Sequence, residues 1–162
     1  MIEQTLLLVK PDGVQRGLIG EVITRLEKVG LKIIALKLTK IDENFAEKHY
    51  HDVEERHGKK ILQANVNFVT SGPIIAMILE GVDAIENVRK IIGSTEPKSA
   101  AIGTIRGDYT HMSYGHADET GVPTKNVVHA SADKSDAERE IALWFSIDEM
   151  HEYKTASEPH VR

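Results

Sequence analysis

The sequence predicts a four-stranded antiparallel sheet with helices packed on it, in the order strand, helix, strand, strand, helix, strand. Short apolar runs of strand length alternate with segments of helical period, and proline, glycine or capping residues separate them. This βαββαβ order is the ferredoxin-like pattern, an α/β class fold of the α+β sandwich type. The 162 residues include 41% hydrophobic and 28% charged types, which is ordinary globular usage. We therefore expect one domain spanning residues 1–162.

The first predicted strand and helix lie near the N-terminus. Thr5 to Val9 is a short apolar run typical of a buried strand, and it ends at Lys10-Pro11-Asp12-Gly13, where proline and glycine begin a turn. Gly30 supplies the stop of a helix whose apolar residues recur at helical spacing, namely Leu18, Ile19, Val22, Ile23, Leu26 and Val29.

The second and third predicted strands enclose a charged helix. Leu31 to Thr39 is rich in isoleucine and leucine with interleaved lysine, which favours a strand. Asp42 is placed to cap a charged helix that continues to about Arg56. Ser71-Gly72-Pro73 then starts the strand from Ile74 to Leu79.

Two predicted helices and a brief strand complete the pattern. Asp83 followed by Glu86 indicates a capping box at the start of a helix. Ser135 followed by Glu138 indicates a second capping box, which opens the last helix. A brief strand is expected from Asn126 to His129, between these two helices.

Charge and composition exclude several classes of protein. The formal net charge is -5, whereas a dedicated nucleic-acid binder carries an excess of lysine and arginine. An anionic substrate would therefore need a local cationic pocket. Cysteine is absent, so no disulfide can form. The apolar run from Ile74 to Leu79 is far too short to span a bilayer, and Met1 to Lys10 lacks a signal-peptide layout. We therefore expect a cytoplasmic protein without a membrane partner.

Three short motifs at strand ends and in loops carry the polar residues that chemistry needs. They are Lys10-Pro11-Asp12-Gly13-Val14-Gln15-Arg16-Gly17, Gly103-Thr104-Ile105-Arg106-Gly107-Asp108 and Asn126-Val127-Val128-His129-Ala130-Ser131. The common phosphate-binding loop is absent, because Val53 stands where that loop needs its first glycine before Gly58-Lys59. The sequence also contains no dinucleotide-binding fingerprint.

These motifs, in this order, resemble the nucleoside diphosphate kinase family. The likeness extends through Ser71-Gly72-Pro73, Gly93-Ser94-Thr95-Glu96-Pro97 and Glu140-Ile141-Ala142-Leu143-Trp144-Phe145, so it covers nearly the whole chain. The resemblance implies an enzyme that moves the terminal phosphate of a nucleoside triphosphate, ATP, to nucleoside diphosphates. It implies a ping-pong mechanism through a phosphohistidine.

The resemblance identifies His129 as the nucleophile, Glu140 as the carboxylate that orients its ring, and Ser131 as an assisting hydroxyl. An unperturbed imidazole, with a pKa of about 6.5, is mostly neutral near pH 7 and has a lone pair for attack on phosphorus. The hydrogen bond that one ring nitrogen makes decides which nitrogen holds the proton. The resemblance also implies that the cations Lys10, Arg89 and Arg106 contact phosphate. It implies hydroxyl donors at Thr95 and Tyr50 and a contact to the ribose from the amide of Asn126.

The same resemblance implies Mg²⁺ as a cofactor and a homohexamer or a tetramer as the assembly, of which we favour the homohexamer. Mg²⁺ keeps several waters and seldom uses an all-protein cage, so we expect the substrate phosphates to hold it and predict no dedicated metal ligands. The pairs His49 with His51 and His111 with His116 are not expected to form a zinc site.

The chain departs from the family pattern in three places. Ile61 and Leu62 stand where family members usually have a Phe-Phe pair that clamps the base. The segment from Thr110 to Lys125 is polar and without a period, which predicts a long surface loop resembling the extended form of archaeal members. Ala132 stands where the family commonly has aspartate, and Asp133 follows it.

Two alternative functions are also compatible with parts of the sequence. Arg56-His57-Gly58 looks like the signature tripeptide of histidine phosphatases, with His57 as the nucleophile. A helix C-terminus with a favourable cation and a glycine stop explains the same residues. A ferredoxin-like regulatory nucleotide-binding module is the second alternative, because this fold does not determine function.

Overall fold

Four antiparallel strands form the central sheet of the computed structural model, which describes residues 1–161. The strands are β1 (Ile2–Val9), β2 (Lys32–Thr39), β3 (Ile74–Val82) and β4 (Val128–Ala130). Their order is β2-β3-β1-β4, and each neighbouring pair is antiparallel. The predicted ferredoxin-like sheet is therefore confirmed, with its last strand beginning two residues later than expected. Arg162, the last residue of the predicted domain, lies outside the described residues.

The centre of the sheet is β1, which pairs with β3 on one side and β4 on the other. Leu7 and Val9 pack into the apolar cluster on one face, while Leu6 and Leu8 pack into the cluster on the opposite face. A strand covered on both faces needs a continuous apolar run rather than an alternating one. The apolar sequence of β1 therefore follows from its central position.

Helices cover both faces of the sheet. Helices α2 and α6 cover the face of Leu7, and α3, α5 and α9 contribute to the opposite core. The helices of the described chain are α1 (Pro11–Gln15), α2 (Ile19–Lys28), α3 (Glu43–His49), α4 (Val53–His57), α5 (Lys59–Thr70), α6 (Ala84–Ile92), α7 (Ile105–Tyr109), α8 (Tyr114–Thr120), α9 (Lys134–Trp144) and α10 (Glu158–Val161).

The charged helix predicted from Asp42 to Arg56 is two helices. Asp42 caps α3 as expected, because its carboxylate accepts a hydrogen bond from the Phe45 N–H at 2.8 Å. Helix α3 ends at His49, however, and α4 begins at Val53 after a turn. Helix α5 follows, although no element was expected there. Its fully buried apolar residues lie only in its last turns, which leaves a weak periodic signal in the sequence.

Both predicted capping boxes are wrong. Asp83 has a left-handed backbone, with φ 45°, and its carboxylate pairs with the N-terminal ammonium group at 2.8 Å instead of capping α6. Helix α9 begins before Ser135, because the Asp133 carboxylate accepts the Asp136 N–H at 2.9 Å. Serine and aspartate are about equally favoured as N-cap residues, so the sequence spacing alone could not distinguish Ser135 from Asp133.

The segment from Thr110 to Lys125 is not a structureless loop, because it contains α8. Ser113 caps this helix by accepting the His116 N–H at 3.2 Å, and Gly121 ends it with φ 68°. Ala117 is its only buried residue, so the segment has almost no apolar period by which the helix is visible in the sequence. No helix within residues 1–161 is long and apolar enough to cross a membrane.

Gly13 in α1 lies where the backbone segments around β1 approach most closely. A Cβ atom at this position would lie 2.7 Å from Val9 Cγ1 and 3.0 Å from the Val127 carbonyl oxygen. Both neighbours are fully buried and belong to the sheet core. A side chain at residue 13 therefore forces β1 and the segment before β4 apart.

We expect Gly13→Ala to destabilise the protein by about 1–3 kcal/mol, because an added methyl group overpacks a filled core. The free energy of unfolding from urea denaturation measures this effect. Gly20→Ala is the matched control, since no atom lies within 4 Å of a Cβ atom there and Gly20 is helical. The control should be neutral or stabilising by about 0.5–1 kcal/mol. Equal losses in the two variants would contradict the close approach at Gly13.

Candidate active site

A strained turn centred on Val127 brings the motif before β4 into position. Val127 has φ 69°, which a β-branched residue rarely adopts, and the Val128 N–H bonds back to the Asn126 carbonyl at 2.8 Å. The Val127 N–H donates to Asp12 Oδ2 at 3.0 Å, and the Val127 carbonyl accepts the Lys10 N–H at 2.8 Å. These contacts hold the strained residue from both sides.

Arg106 holds the same turn from a third direction. Its guanidinium group donates to the carbonyl oxygens of Gly93 at 2.9 Å, Val128 at 2.8 Å and Asn126 at 3.4 Å. Burial and then the neighbouring charge of Arg89 lower the pKa of Arg106 to about 10, so it stays cationic at neutral pH. Arg106 was predicted as a phosphate contact, and the structure adds a role in holding the backbone around the site.

His129, Glu140 and Ser131 lie together, as the family resemblance implies. Strand β4 carries His129, and α9 packs against β1 so that Glu140 faces it. His129 Nε2 and Glu140 Oε1 are 2.8 Å apart, and the Ser131 hydroxyl donates to Glu140 Oε2 at 2.7 Å. The Glu140 carboxylate is therefore held at both oxygens.

The ionisation of Glu140 determines the tautomer of His129. Burial alone would raise the pKa of the Glu140 carboxyl. The hydrogen bond and charge of His129, with contributions from His49 and Ser131, outweigh burial and lower this pKa to about 2. An ionised carboxylate only accepts hydrogen bonds, so His129 Nε2 carries the proton that bonds to it. The lone pair then lies on His129 Nδ1, which no hydrogen bond engages within residues 1–161.

His49 and Trp144 also contact this cluster, and the sequence analysis did not assign either to it. The ring of His49 lies edge to face against His129, with centroids 4.7 Å apart, and His49 is only 3% exposed. The Trp144 indole N–H donates to His49 Nδ1 at 3.3 Å. Burial, followed by the charge of His129, lowers the pKa of His49 to about 3, so it is neutral near pH 7. The sequence signal that could have indicated His49 was its position at the end of a capped helix, directly before Tyr50.

Tyr50 and Lys10 border the same cluster. The ring of Tyr50 packs 4.8 Å from that of His49, and burial raises the pKa of its phenol. Lys10 follows β1, is 8% exposed, and has its ammonium group 5.2 Å from the centre of the Phe68 ring. Burial, partly offset by Asp12, lowers the pKa of Lys10 to about 8. No hydrogen bond within residues 1–161 engages that ammonium group.

Asn126, Thr95 and Arg89 extend the site away from His129. Asn126 donates its side-chain N–H to the Thr95 carbonyl at 2.8 Å, and its own Oδ1 atom is buried without a partner. Thr95 is exposed. Arg89 is exposed on α6 and shares a surface cleft with Ala132 and Lys134. Its charge also acts on Arg106, so the two cations are neighbours.

Ile61 lies on the solvent side of α5, whereas Leu62 packs toward the core. Ile61 is 41% exposed, so it is available to a ligand. Ile61 and Phe68 are seven residues apart, which is close to two helical turns, so both lie on one face of α5 about 10 Å apart. That face also approaches Lys10 through Phe68.

Within residues 1–161, the group of potential metal ligands is His49, His129 and Glu140, whose ligand atoms lie within 4.8 Å of one another. These atoms already take part in the hydrogen bonds around Glu140. His51, His111 and His116 belong to no such group in the described part of the chain. The prediction that the protein has no dedicated Mg²⁺ ligands stays a prediction.

His57 does not belong to the cluster around Glu140 within residues 1–161. It is exposed at the last position of α4, and Gly58 follows with φ 86°. Arg56 pairs with Asp52 at 2.8 Å on the surface of the same helix. These residues form an ordinary helix C-terminus, and no catalytic partner for His57 is seen in the described part of the chain, which disfavours the histidine-phosphatase alternative.

Comparisons with known proteins agree with the geometry of the site. A profile of the family described as nucleoside diphosphate kinase matches residues 3–150. A nucleoside diphosphate kinase from Borreliella burgdorferi is 46% identical over 160 residues, which covers 98% of this chain and 96% of that protein. One from Pyrococcus furiosus is 48% identical over 157 residues, which covers 97% and 91% of the two chains.

Solved structures give the same result. One solved structure is a transition-state mimic of the nucleoside-diphosphate kinase from Borrelia burgdorferi with bound vanadate and ADP. It superposes with a TM-score of 0.96 at 45% identity, and the match covers 99% of this chain and 96% of that chain. A halophilic nucleoside diphosphate kinase from Halobacterium salinarum in complex with CDP has a TM-score of 0.85 at 43% identity, with 98% and 97% covered. This chain therefore belongs to the nucleoside diphosphate kinase family.

Proposed function

We propose that this protein transfers the terminal phosphate of ATP to nucleoside diphosphates through a phosphohistidine at His129. The observation that carries this proposal is the hydrogen bond from His129 Nε2 to the buried, ionised Glu140. It fixes the ring and leaves the lone pair on Nδ1, on a side chain that is 27% exposed. A module that only binds nucleotides has no use for such an arrangement.

The reaction consists of two transfers of the same phosphoryl group. In the first, His129 Nδ1 forms a bond to the γ-phosphorus as the bond from phosphorus to the bridging β-oxygen breaks, and the diphosphate leaves with that electron pair. The Nε2 proton remains shared with Glu140, whose charge stabilises the more cationic ring of the phosphohistidine. In the second transfer, a terminal oxygen of the incoming diphosphate attacks the same phosphorus and His129 Nδ1 leaves. Glu140 and Ser131 hold the imidazole in one orientation throughout.

Binding of the phosphates is assigned to cations that surround the histidine. Lys10 and Arg106 are buried beside the Val127 turn, and Arg89 lies next to Arg106. Phosphoryl transfer depends on positioning and on positive charge near the phosphate oxygens, and a fixed pocket supplies both on a chain of net charge -5. We assign hydroxyl contacts to Thr95 and Tyr50.

The ribose contact is assigned to Asn126. Its buried Oδ1 atom has no partner within the protein, and an unsatisfied buried acceptor costs about 1–3 kcal/mol. A ribose hydroxyl donor would satisfy it. The Asn126 amide is prevented from turning because its N–H group donates to the Thr95 carbonyl.

Mg²⁺ is proposed to arrive with the nucleotide. The metal-capable group of the described residues is rich in imidazole nitrogen, whereas Mg²⁺ prefers oxygen ligands in octahedral geometry. The protein side chains therefore do not fit as its ligands, and the phosphate oxygens do. When bound to them, Mg²⁺ neutralises part of the phosphate charge.

A homohexamer remains the proposed assembly, and the edge of the sheet supports association between copies. The C-terminal segment covers part of edge strand β2, where the His151 N–H donates to the Ile34 carbonyl at 2.8 Å. Farther along β2, Leu36 and Leu38 are exposed. Exposed apolar residues on an edge strand favour contact with another chain. One domain over residues 1–162 and a cytoplasmic location also remain proposals.

His129→Ala should abolish acid-labile labelling of the protein by γ-labelled ATP and Mg²⁺, because the attacking nitrogen is lost. The measurement is the label retained on the protein, followed by its release to added GDP as GTP. His57→Ala is the matched control, and it should label and discharge like the unmodified protein. Label on His129→Ala, or loss of label in His57→Ala, would contradict the assignment. Nucleotide binding without any label would instead support the regulatory-module alternative.

The KM for ATP should rise above pH about 8, because burial lowers the pKa of Lys10 to about 8. Below that pH the lysine is charged and binds phosphate, and above it the free enzyme loses this charge. Steady-state kinetics between pH 6 and 10 measure the effect. Lys10→Arg should have a higher KM at neutral pH but a flatter alkaline profile, since arginine stays charged across this range. An equally steep rise in Lys10→Arg would exclude Lys10 as its cause.

Ile61→Phe should lower the KM for ATP about tenfold or more with little change in kcat, because stacking on a base contributes about 1–3 kcal/mol. Gln63→Phe is the matched control, since Gln63 is exposed on a different face of α5 and should leave the KM unchanged. Equal effects of the two substitutions would show that Ile61 does not face the base.

A further inference from the structure

Two histidines lie near the same oxygen of Glu140. His129 Nε2 is 2.8 Å from Glu140 Oε1, and His49 Nδ1 is 3.7 Å from that oxygen. The other carboxylate oxygen accepts the Ser131 hydroxyl. Arg139 Nη2 is also 3.7 Å from Oε1, but that group bonds to Asp136 at 3.2 Å. A carboxylate oxygen can accept more than one hydrogen bond, but a second histidine N–H at Oε1 would weaken the charge-assisted bond to His129. Only the bond to His129 serves the proposed function.

The indole of Trp144 determines which tautomer His49 adopts. An indole N–H is a donor only, and it lies 3.3 Å from His49 Nδ1, so that nitrogen must present its lone pair. The proton of neutral His49 is then on Nε2, which is buried without a hydrogen-bond partner. In a fold without the indole donor, a proton on Nδ1 would be attracted to the Glu140 carboxylate, whose Oε1 atom is 3.7 Å away.

We propose that Trp144 and His49 are positioning residues, in which the Trp144 N–H prevents His49 from donating to Glu140 and so reserves that carboxylate for His129. This inference rests on the phosphohistidine function proposed above. It explains why a polar pair is buried behind the nucleophile: His49 and Trp144 are both at most 3% exposed, and Trp144 packs in an apolar core. The unpaired Nε2–H of His49 is the energetic cost of this tautomer.

The surroundings of His49 fix its ring as well as its proton. Rings of Tyr50, Trp144 and His129 pack edge to face around it, at centroid distances of 4.8, 5.6 and 4.7 Å. The ring therefore cannot turn away from Glu140 when the tautomer changes. Without the indole donor, a proton on Nδ1 gains a hydrogen bond to a carboxylate and competes directly with His129.

The test begins with Trp144→Phe, which removes the indole N–H and keeps an aromatic ring. We expect the rate of His129 phosphorylation to fall at least about tenfold with an unchanged KM for ATP, since loss of the correct histidine tautomer costs about 10⁴ in kcat where it is complete. Phe45→Leu is the packing control. It removes the ring that contacts Trp144 at 4.9 Å and retains the N–H group, so it should reduce stability without changing this rate.

Rescue distinguishes competition from structural damage. Adding His49→Phe to Trp144→Phe removes the competing histidine, so the double variant should be phosphorylated faster than Trp144→Phe alone. A double variant as slow as Trp144→Phe, or Trp144→Phe with the unmodified rate, would overturn the proposal.

Nitrogen-15 NMR of the histidine rings in the full-length protein tests the tautomer directly and without catalysis. We expect His49 with its proton on Nε2 in the unmodified protein and partly on Nδ1 in Trp144→Phe. A proton on Nδ1 of His49 in the unmodified protein would overturn the proposal even where the variant does not fold. Failure of His129 to accept phosphate in the unmodified protein would instead refute the proposed function, so the two failures are separable.

Discussion

The strained turn at Val127 is the constraint on which the rest of the site depends. A left-handed conformation at a β-branched residue costs of order 1–3 kcal/mol and persists only where its surroundings enforce it. Here Asp12 binds the Val127 N–H, the Lys10 N–H binds the Val127 carbonyl, and Arg106 binds the carbonyls on both sides. Gly13 leaves the space that this close approach requires. The turn lies just before β4, so one rigid segment presents both Asn126 and His129.

Charge burial is the second feature that organises the molecule. Lys10, Arg106 and Glu140 are each at most 8% exposed, and removing an ion from water costs several kcal/mol. Backbone carbonyls offset this cost for Arg106, and the hydrogen bonds from His129 and Ser131 offset it for Glu140. Among residues 1–161, the ammonium group of Lys10 is offset by the ring of Phe68 and the charge of Asp12 alone, so burial lowers the pKa of Lys10 to about 8. Lys10 is therefore the cation that a bound phosphate would stabilise most.

The sequence was sufficient for the parts of the structure that local patterns determine. The apolar run of β1 and the helical spacing before Gly30 predict their elements. The pairing of His129 with Glu140 was expected only from the family resemblance, because the residues alone favour a surface carboxylate at Glu140. Helices α5 and α8 were missed because their apolar residues are too few or too clustered to show a period. His49 and Trp144 were missed as site residues for a different reason. Their contact joins positions 95 residues apart, so only the packing of α9 against α3 makes it visible.

Such long-range contacts connect reactivity to complete folding. Asp12 reaches Val127 across 115 residues, and Trp144 reaches His49 across 95. Strand β1 brings these segments together, because it pairs with β3 and β4 while its two faces bind opposite cores. A partly folded chain therefore lacks the turn, the buried carboxylate and the tautomer control at the same time. An imidazole outside this setting rotates freely and exchanges its proton between both nitrogens, so the reactive Nδ1 lone pair of His129 is a property of the native fold rather than of the residue.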